Sequence, residues 1–136
     1  MIYAAAPRAS GRHRGATATL RHCCVIGLAS LLTLPALAAD SVRGRELYEA
    51  RCGACHSIDA DRVGPRHFGV VGRRAGAVTT YDYSPALRAS TIIWTATTLD
   101  SWLANPESMI PGQRMGYRVD DARDRADLIE YLSSLQ

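Results

Sequence analysis

The chain has 136 residues, enough for one domain and not for two. Its formal charge of +3 is spread unevenly: four of the basic residues (Arg8, Arg12, Arg14 and Arg21) precede residue 38, and all 13 acids lie at or after Asp40. Without the first 38 residues the net charge falls to about −1, so composition makes no case for binding nucleic acid.

The basic start carries no acid and runs into an apolar stretch from Cys23 to Leu37, interrupted only by Gly, Ser, Thr and Pro. Ala36-Leu37-Ala38 closes it with an A-x-A cleavage pattern. The expectation is a secretory signal peptide over residues 1–38, cut after Ala38, ahead of a domain spanning 39–136. An uncleaved membrane anchor is the alternative, although the apolar run is shorter than the roughly 20 residues a spanning helix needs. Cys23 and Cys24 would be discarded with the leader. The domain then retains two cysteines at close spacing, which is no disulfide scaffold. A domain this small buries a limited core, and a bound group would supply part of what its side chains lack.

Residues 41–52 read as a helix, with Ser41 as N-cap and Val42, Leu47 and Tyr48 as apolar contacts. Gly44 disfavours a helix and has two readings: a close crossing by another helix, or a plain surface position. The helix leads into Cys52-Gly53-Ala54-Cys55-His56, two thiols three residues apart followed by an imidazole. On one helical turn these three side chains share a face, so two sulfurs can bond the vinyl carbons of one haem while the His56 ring reaches its iron. A zinc site would need further ligands, and only His67 remains after the leader. A redox dithiol would need a βαβ setting that the flanks do not provide.

Residues 57–93 show little periodicity and are punctuated by Gly64-Pro65, Gly69, Gly72 and Gly76. So long a structureless stretch in a small domain has to wrap around something. Tyr81, Tyr83 and Trp94 add aromatic surface with polar tips, which need partners when buried; haem propionates and ordinary core packing are both open. Residues 98–104 read as a short helix with Leu99, Trp102 and Leu103 on one face, ended by Asn105-Pro106. A loop follows through Pro111-Gly112 to Met115. The last helix spans about 121–135, capped by Asp121, with an apolar stripe of Leu128, Leu132 and Leu135 widened by Ile129 and Tyr131.

Iron held by His56 has a second axial position, for which Met109, Met115 and His67 are the candidates. The Pro-Gly turn ahead of Met115 can aim a thioether inward from a loop. A lone Met is usually core filler. A lone His is more often a packing or surface residue.

Taken in order, these landmarks resemble class I cytochrome c, the small bacterial monohaem kind near cytochrome c2 and mitochondrial cytochrome c. Gly44 and Leu47 fall near the family's first-helix Gly and aromatic, and Cys52, Cys55 and His56 on its haem motif. Gly64-Pro65 resembles the pair whose Pro65 carbonyl would receive the N–H of the ligating His. Gly69-Val70-Val71-Gly72-Arg73 resembles its Gly-x-x-Gly-Arg. Tyr83 and Trp94 fall on positions that bond a propionate. Asn105-Pro106 and Pro111-Gly112-Gln113-Arg114-Met115 resemble its ligand loop, and Leu128 and Tyr131 the last-helix residues that cross the first helix. The resemblance implies an all-α fold of three to five helices around one covalent haem c, with His56 and Met115 as iron ligands. It implies a soluble periplasmic one-electron carrier rather than an enzyme, meeting redox partner proteins weakly at the haem edge. The rivals are a haem enzyme or gas-binding protein with an open distal site, and a cytochrome subunit of a larger oxidoreductase.

Departures are also legible. Leu47 replaces the helix-crossing aromatic, Trp102 replaces a Tyr, Gln113 a Thr and Leu87 an Asn. The family's lysine ring is missing, since the chain has no Lys; Arg66, Arg73, Arg74, Arg88 and Arg114 are the residues that could stand in.

Overall fold

Asp40, not Ser41, caps the first helix: its carboxylate accepts the backbone N–H groups of Val42 and Arg43. A carboxylate one residue earlier satisfies two donors of the first turn and complements the helix dipole, so it displaces the serine from the role. The computed structural model describes residues 38–136; the leader up to residue 37, with Cys23 and Cys24, lies outside the described residues. Five helices follow in order: α1 (Ser41–Arg51), α2 (Pro85–Ala89), α3 (Ala96–Ala104), α4 (Pro106–Met109) and α5 (Ala122–Ser133). Among the described residues there is no sheet, only an isolated bridge between Arg74 and Ile93. The all-α expectation holds.

The boundaries sharpen. Thr95 caps α3 in a reciprocal capping box with Thr98, so this helix starts two residues earlier than its apolar face announced. Asn105-Pro106 ends α3 and at once begins α4: Asn105 accepts the N–H of Ser108, and Pro106 takes the first helical position where a missing N–H costs nothing. The stretch 57–93 is not structureless throughout. Ser84 caps the one-turn α2, with Pro85 again at the start.

α1 and α5 cross where Gly44 lies, and this settles its two readings. A β-carbon there would sit 2.0 Å from the carbonyl oxygen of Asp127, so only glycine lets the two backbones approach this closely. The aromatic of the crossing is present after all. It is Tyr48 rather than Leu47: Tyr48 is buried and meets Tyr131 of α5 at 5.4 Å between ring centroids. Four residues from Gly44 and four from Cys52, Tyr48 shares their helix face.

A buried charge cluster ties the same crossing. Asp127 is fully buried and accepts the N–H of Asp40 at 2.8 Å, a guanidinium N–H of Arg43, and Arg123 Nε at 3.1 Å. Asp124, also buried, pairs with Arg43 and with Arg51 at 2.8 Å. Leu99, Trp102 and Leu103 of α3 and Leu128, Ile129 and Leu132 of α5 complete the core. These apolar faces converge on a cavity that the helices alone do not close; the loops 53–84 and 113–117 form its other walls.

Candidate haem site

The cavity measures ≈ 380 Å³ and its lining is mostly apolar. Cys52, Cys55, His56, Pro65, Tyr83, Trp94 and Met115, all singled out in the sequence, line it together. Of the other two axial candidates, His67 also reaches the cavity, whereas Met109 packs against the core away from the lining.

The cysteine motif is the tail of α1 rather than a helix of its own. Cys52 is the C-cap of α1, and its carbonyl accepts the N–H groups of Cys55 at 3.0 Å and His56 at 2.9 Å. That single turn keeps the i, i+3, i+4 relation on which the haem reading rests. Burial pushes the Cys52 thiol up to about 11. Cys55 is exposed and lines the cavity.

His56 is held from three directions. Its Nδ1 lies 2.8 Å from the carbonyl oxygen of Pro65, which fixes Nδ1–H and leaves Nε2 with a free lone pair. Burial, opposed in part by that bond, lowers its pKa and keeps the ring neutral, the form that ligates a metal. Gly64 lies against the ring so closely that a β-carbon there would fall 2.1 Å from His56 Cε1. On the ring's flat side lies His67, at 4.1 Å between centroids and 18° between planes.

Met115 enters from the loop after α4. Its Sδ accepts the indole N–H of Trp102 at 3.2 Å, and its backbone N–H donates to the side-chain oxygen of Gln113. Gln113 and Gly112 donate in turn to the two carboxylate oxygens of Glu107, at 3.2 and 3.0 Å. Trp102 and Gln113, two of the departures read from the sequence, thus both bond to Met115. Trp94 is buried and packs on Trp102 at 5.3 Å; Tyr83 is buried and meets Tyr81 at 4.8 Å.

The cavity therefore offers what a c-type haem needs: an apolar slot, two thiols at its rim, a neutral imidazole held by a backbone carbonyl, and a thioether. Nitrogen and sulfur donors suit haem iron, and the gap left by Gly64 keeps the imidazole where it lies.

Sequence reasoning placed Arg73 among the surface cations. Instead Arg73 lines the cavity and spends its guanidinium on the carbonyls of Phe68 at 2.9 Å and Arg66 at 2.8 Å; burial lowers its pKa. Arg74 donates to the carbonyls of Ser90 and Arg88. Arg88 and Arg114 share Asp82, at 2.7 and 3.6 Å, and Arg66 lies 3.9 Å from Asp61. Of these five, Arg66, Arg88 and Arg114 lie within 3.9 Å of a carboxylate, whereas Arg73 and Arg74 bond only to carbonyls. Reasoning from sequence passed over Tyr48 as a member of the site and offered His67 only as an axial candidate, not as the ring stacked on His56. Tyr48 was discoverable, since Gly44, Tyr48 and Cys52 repeat at i+4.

The same architecture occurs in known proteins. The family model described as Cytochrome c matches residues 41–136. Cytochrome c 2.1 of Caenorhabditis briggsae is 41% identical over 98 residues, covering 70% of this chain and 88% of that protein. Cytochrome c2 of Rhodopila globiformis is 39% identical over 100 residues, covering 71% and 94%. Cytochrome cH from Methylobacterium extorquens superposes with a TM-score of 0.68 at 36% identity, covering 71% of this chain and 99% of that one. With its fold, its Cys52/Cys55/His56 motif and this match, the chain belongs to the cytochrome c family, whose members transfer electrons through a covalently attached c-type haem.

Proposed function

We propose that this protein is a soluble periplasmic single-electron carrier with one haem c, bonded through Cys52 and Cys55 and ligated by His56 and Met115. The observation that carries the reading is the pairing of a neutral His56, held at Nδ1 by Pro65, with a Met115 thioether in the same cavity. When bound, the haem supplies a one-electron Fe(III)/Fe(II) couple, and a thioether opposite an imidazole raises its potential. The protein's own part is to hold both donors, keep water out with Leu99, Trp102 and Leu128, and leave the Cys55 edge open. That edge is where electrons would cross and where partner proteins would dock weakly. Tyr83 and Trp94 are assigned to the propionate side, in keeping with their burial along the lining. Were His56 and Met115 both to ligate the iron, no position on it would be left for a substrate, so no catalytic role is assigned.

Residues 1–38 act as a cleaved export signal in this reading, and residues 39–136 as the working domain. Among the described residues no helix is long and apolar enough to cross a membrane.

The test is production in a host with haem-maturation machinery. The expected product is a chain beginning near Ala39 with one haem that survives denaturing electrophoresis. The oxidised protein should show a weak near-infrared sulfur-to-iron band and titrate as one electron. Cys52→Ala with Cys55→Ala should abolish the denaturation-resistant haem. A high-spin oxidised spectrum would favour a haem with an open distal site; co-purification with a large enzyme would favour a dedicated subunit.

A further inference from the structure

We propose that His67 is a positioning residue of the haem site, setting the ring plane of His56 through the stack between them and braced in turn by Tyr48. The inference rests on the reading of His56 as iron ligand. An imidazole held at Nδ1 by a carbonyl and at Nε2 by a metal retains one freedom: it can swing about the line joining those two atoms. The single 2.8 Å hydrogen bond to the Pro65 carbonyl tolerates a range of N–H···O angles, so by itself it does not block small swings. A ring stacked on the imidazole face does. His67 supplies this ring, 4.1 Å away and within 18° of parallel.

His67 is itself immobilised. Its backbone N–H donates to the carbonyl of Ser57 at 3.0 Å, and the next N–H, of Phe68, to Ile58 at 2.8 Å, so residues 67–68 are paired with the segment that follows His56. Its carbonyl accepts the N–H of Val70 at 3.0 Å. Its Nδ1 lies 3.2 Å from the hydroxyl of Tyr48, whose ring meets it edge-on at 5.6 Å. Tyr48 belongs to the α1–α5 crossing, buried against Tyr131. A continuous line of contacts therefore runs from the helix crossing through Tyr48 and His67 to the imidazole plane of His56. Stacked on the His56 face, His67 belongs to the same wall as His56, which is why it reaches the cavity without serving as the second axial donor.

The plane of an axial imidazole fixes how unpaired spin spreads over a ferric haem. Electron paramagnetic resonance and the paramagnetically shifted proton resonances of the haem methyls read it directly. The experiment compares the oxidised holoprotein with His67→Leu, His67→Phe, Tyr48→Phe and, as a stability control, Val119→Ala, a buried site away from the cavity lining. His67→Leu should shift the g-values and reorder the methyl resonances while the near-infrared sulfur band persists. Tyr48→Phe should move them in the same direction by less, and His67→Phe, which keeps a ring, should stay near the parent. Val119→Ala should lower the melting temperature without moving the g-values. Parental g-values and methyl pattern in His67→Leu would overturn the proposal. If that variant does not fold, an unchanged pattern in Tyr48→Phe overturns it. Absence of the sulfur band in the parent protein would instead count against the His56/Met115 ligation itself.

Discussion

The two candidate ligands sit in walls of different construction. His56 is fixed by a backbone carbonyl 2.8 Å away, by a glycine with no room for a side chain, and by a stacked ring rooted in the α1–α5 crossing. Met115 is held by side chains: an indole N–H on its sulfur and the amide of Gln113 on its backbone, the latter tied to the exposed carboxylate of Glu107. Backbone partners and buried rings move little. Hydrogen bonds at an exposed loop exchange with water and net only about 1 kcal/mol each. The comparison makes the methionine wall the one that opens first.

The His56 wall breaks at Gly64. Gly64→Ala places a β-carbon 2.1 Å from Cε1 and 2.5 Å from Nε2 of the imidazole, and the ring has to leave its position. The expected outcome is loss of the native low-spin spectrum with haem still covalently retained through Cys52 and Cys55, read by absorption spectroscopy before and after denaturing electrophoresis. A parental spectrum in Gly64→Ala would mean that this wall yields more readily than its contacts imply.

The methionine wall breaks at Met115, with a milder result. Met115→Ala should stay folded, turn high-spin or bind water, lose the near-infrared band and gain carbon monoxide binding when reduced. Loss of the sulfur donor should also lower the potential. Met109→Ala, whose side chain packs on the core and does not line the cavity, should keep the parental spectrum.

Acid distinguishes the walls through the crossing that braces only one of them. Desolvation alone would push the Asp127 carboxyl up; the N–H of Asp40 and the guanidinium groups of Arg43 and Arg123 outweigh it and hold the group below its usual range. A depressed carboxylate contributes stability above the unfolded value near 4 and loses it as pH falls through the lower folded value. Thermal melts should therefore weaken below about pH 4, and Asp127→Asn should flatten that slope. At neutral pH the same variant should cost about 2 kcal/mol, the order expected for losing charged hydrogen bonds to a buried carboxylate. A slope unaltered in Asp127→Asn would place the acid lability elsewhere.

The haem motif was legible because its chemistry travels with its spacing, and Met115 was legible as a candidate through the Pro-Gly turn ahead of it; Pro65 as the partner of His56 came from the family resemblance, and the 2.8 Å contact agrees with it. Tyr48 was misread by one residue: Leu47 and Tyr48 are both apolar, and only the register set by Gly44 against Asp127 decides which faces α5. His67 was legible as a candidate but not as a neighbour of His56, since the pairing of residues 67–68 with 57–58 is a loop contact that periodicity does not report. Helix α2 was missed because five residues give no period to detect. The arginines read as surface charge because a sequence does not say which guanidinium turns inward to a carbonyl, as Arg73 does.

The smallest expected effect lies at Trp102, and it measures the methionine wall most finely. Trp102 is buried against Trp94, so its ring is fixed by packing, and its indole N–H, which can only donate, points at Met115 Sδ from 3.2 Å. A donor on the sulfur draws electron density from the lone pair that would face iron. That weakens the thioether as a donor to Fe(III) more than to Fe(II) and favours the reduced state. Trp102→Phe keeps most of the ring and deletes the N–H. The whole bond is worth roughly 1 kcal/mol, about 40 mV for one electron, and only its difference between redox states counts. The potential should therefore fall by something on the order of 10–20 mV. The near-infrared band should shift without vanishing, and carbon monoxide should bind the reduced variant more readily than the parent but far less than Met115→Ala. A rise in potential would mean that the indole holds the sulfur in place more than it withdraws from it. Met115 would then depend on Trp102 for position, as His56 depends on its stacked ring, and the two walls would differ less than their contacts suggest.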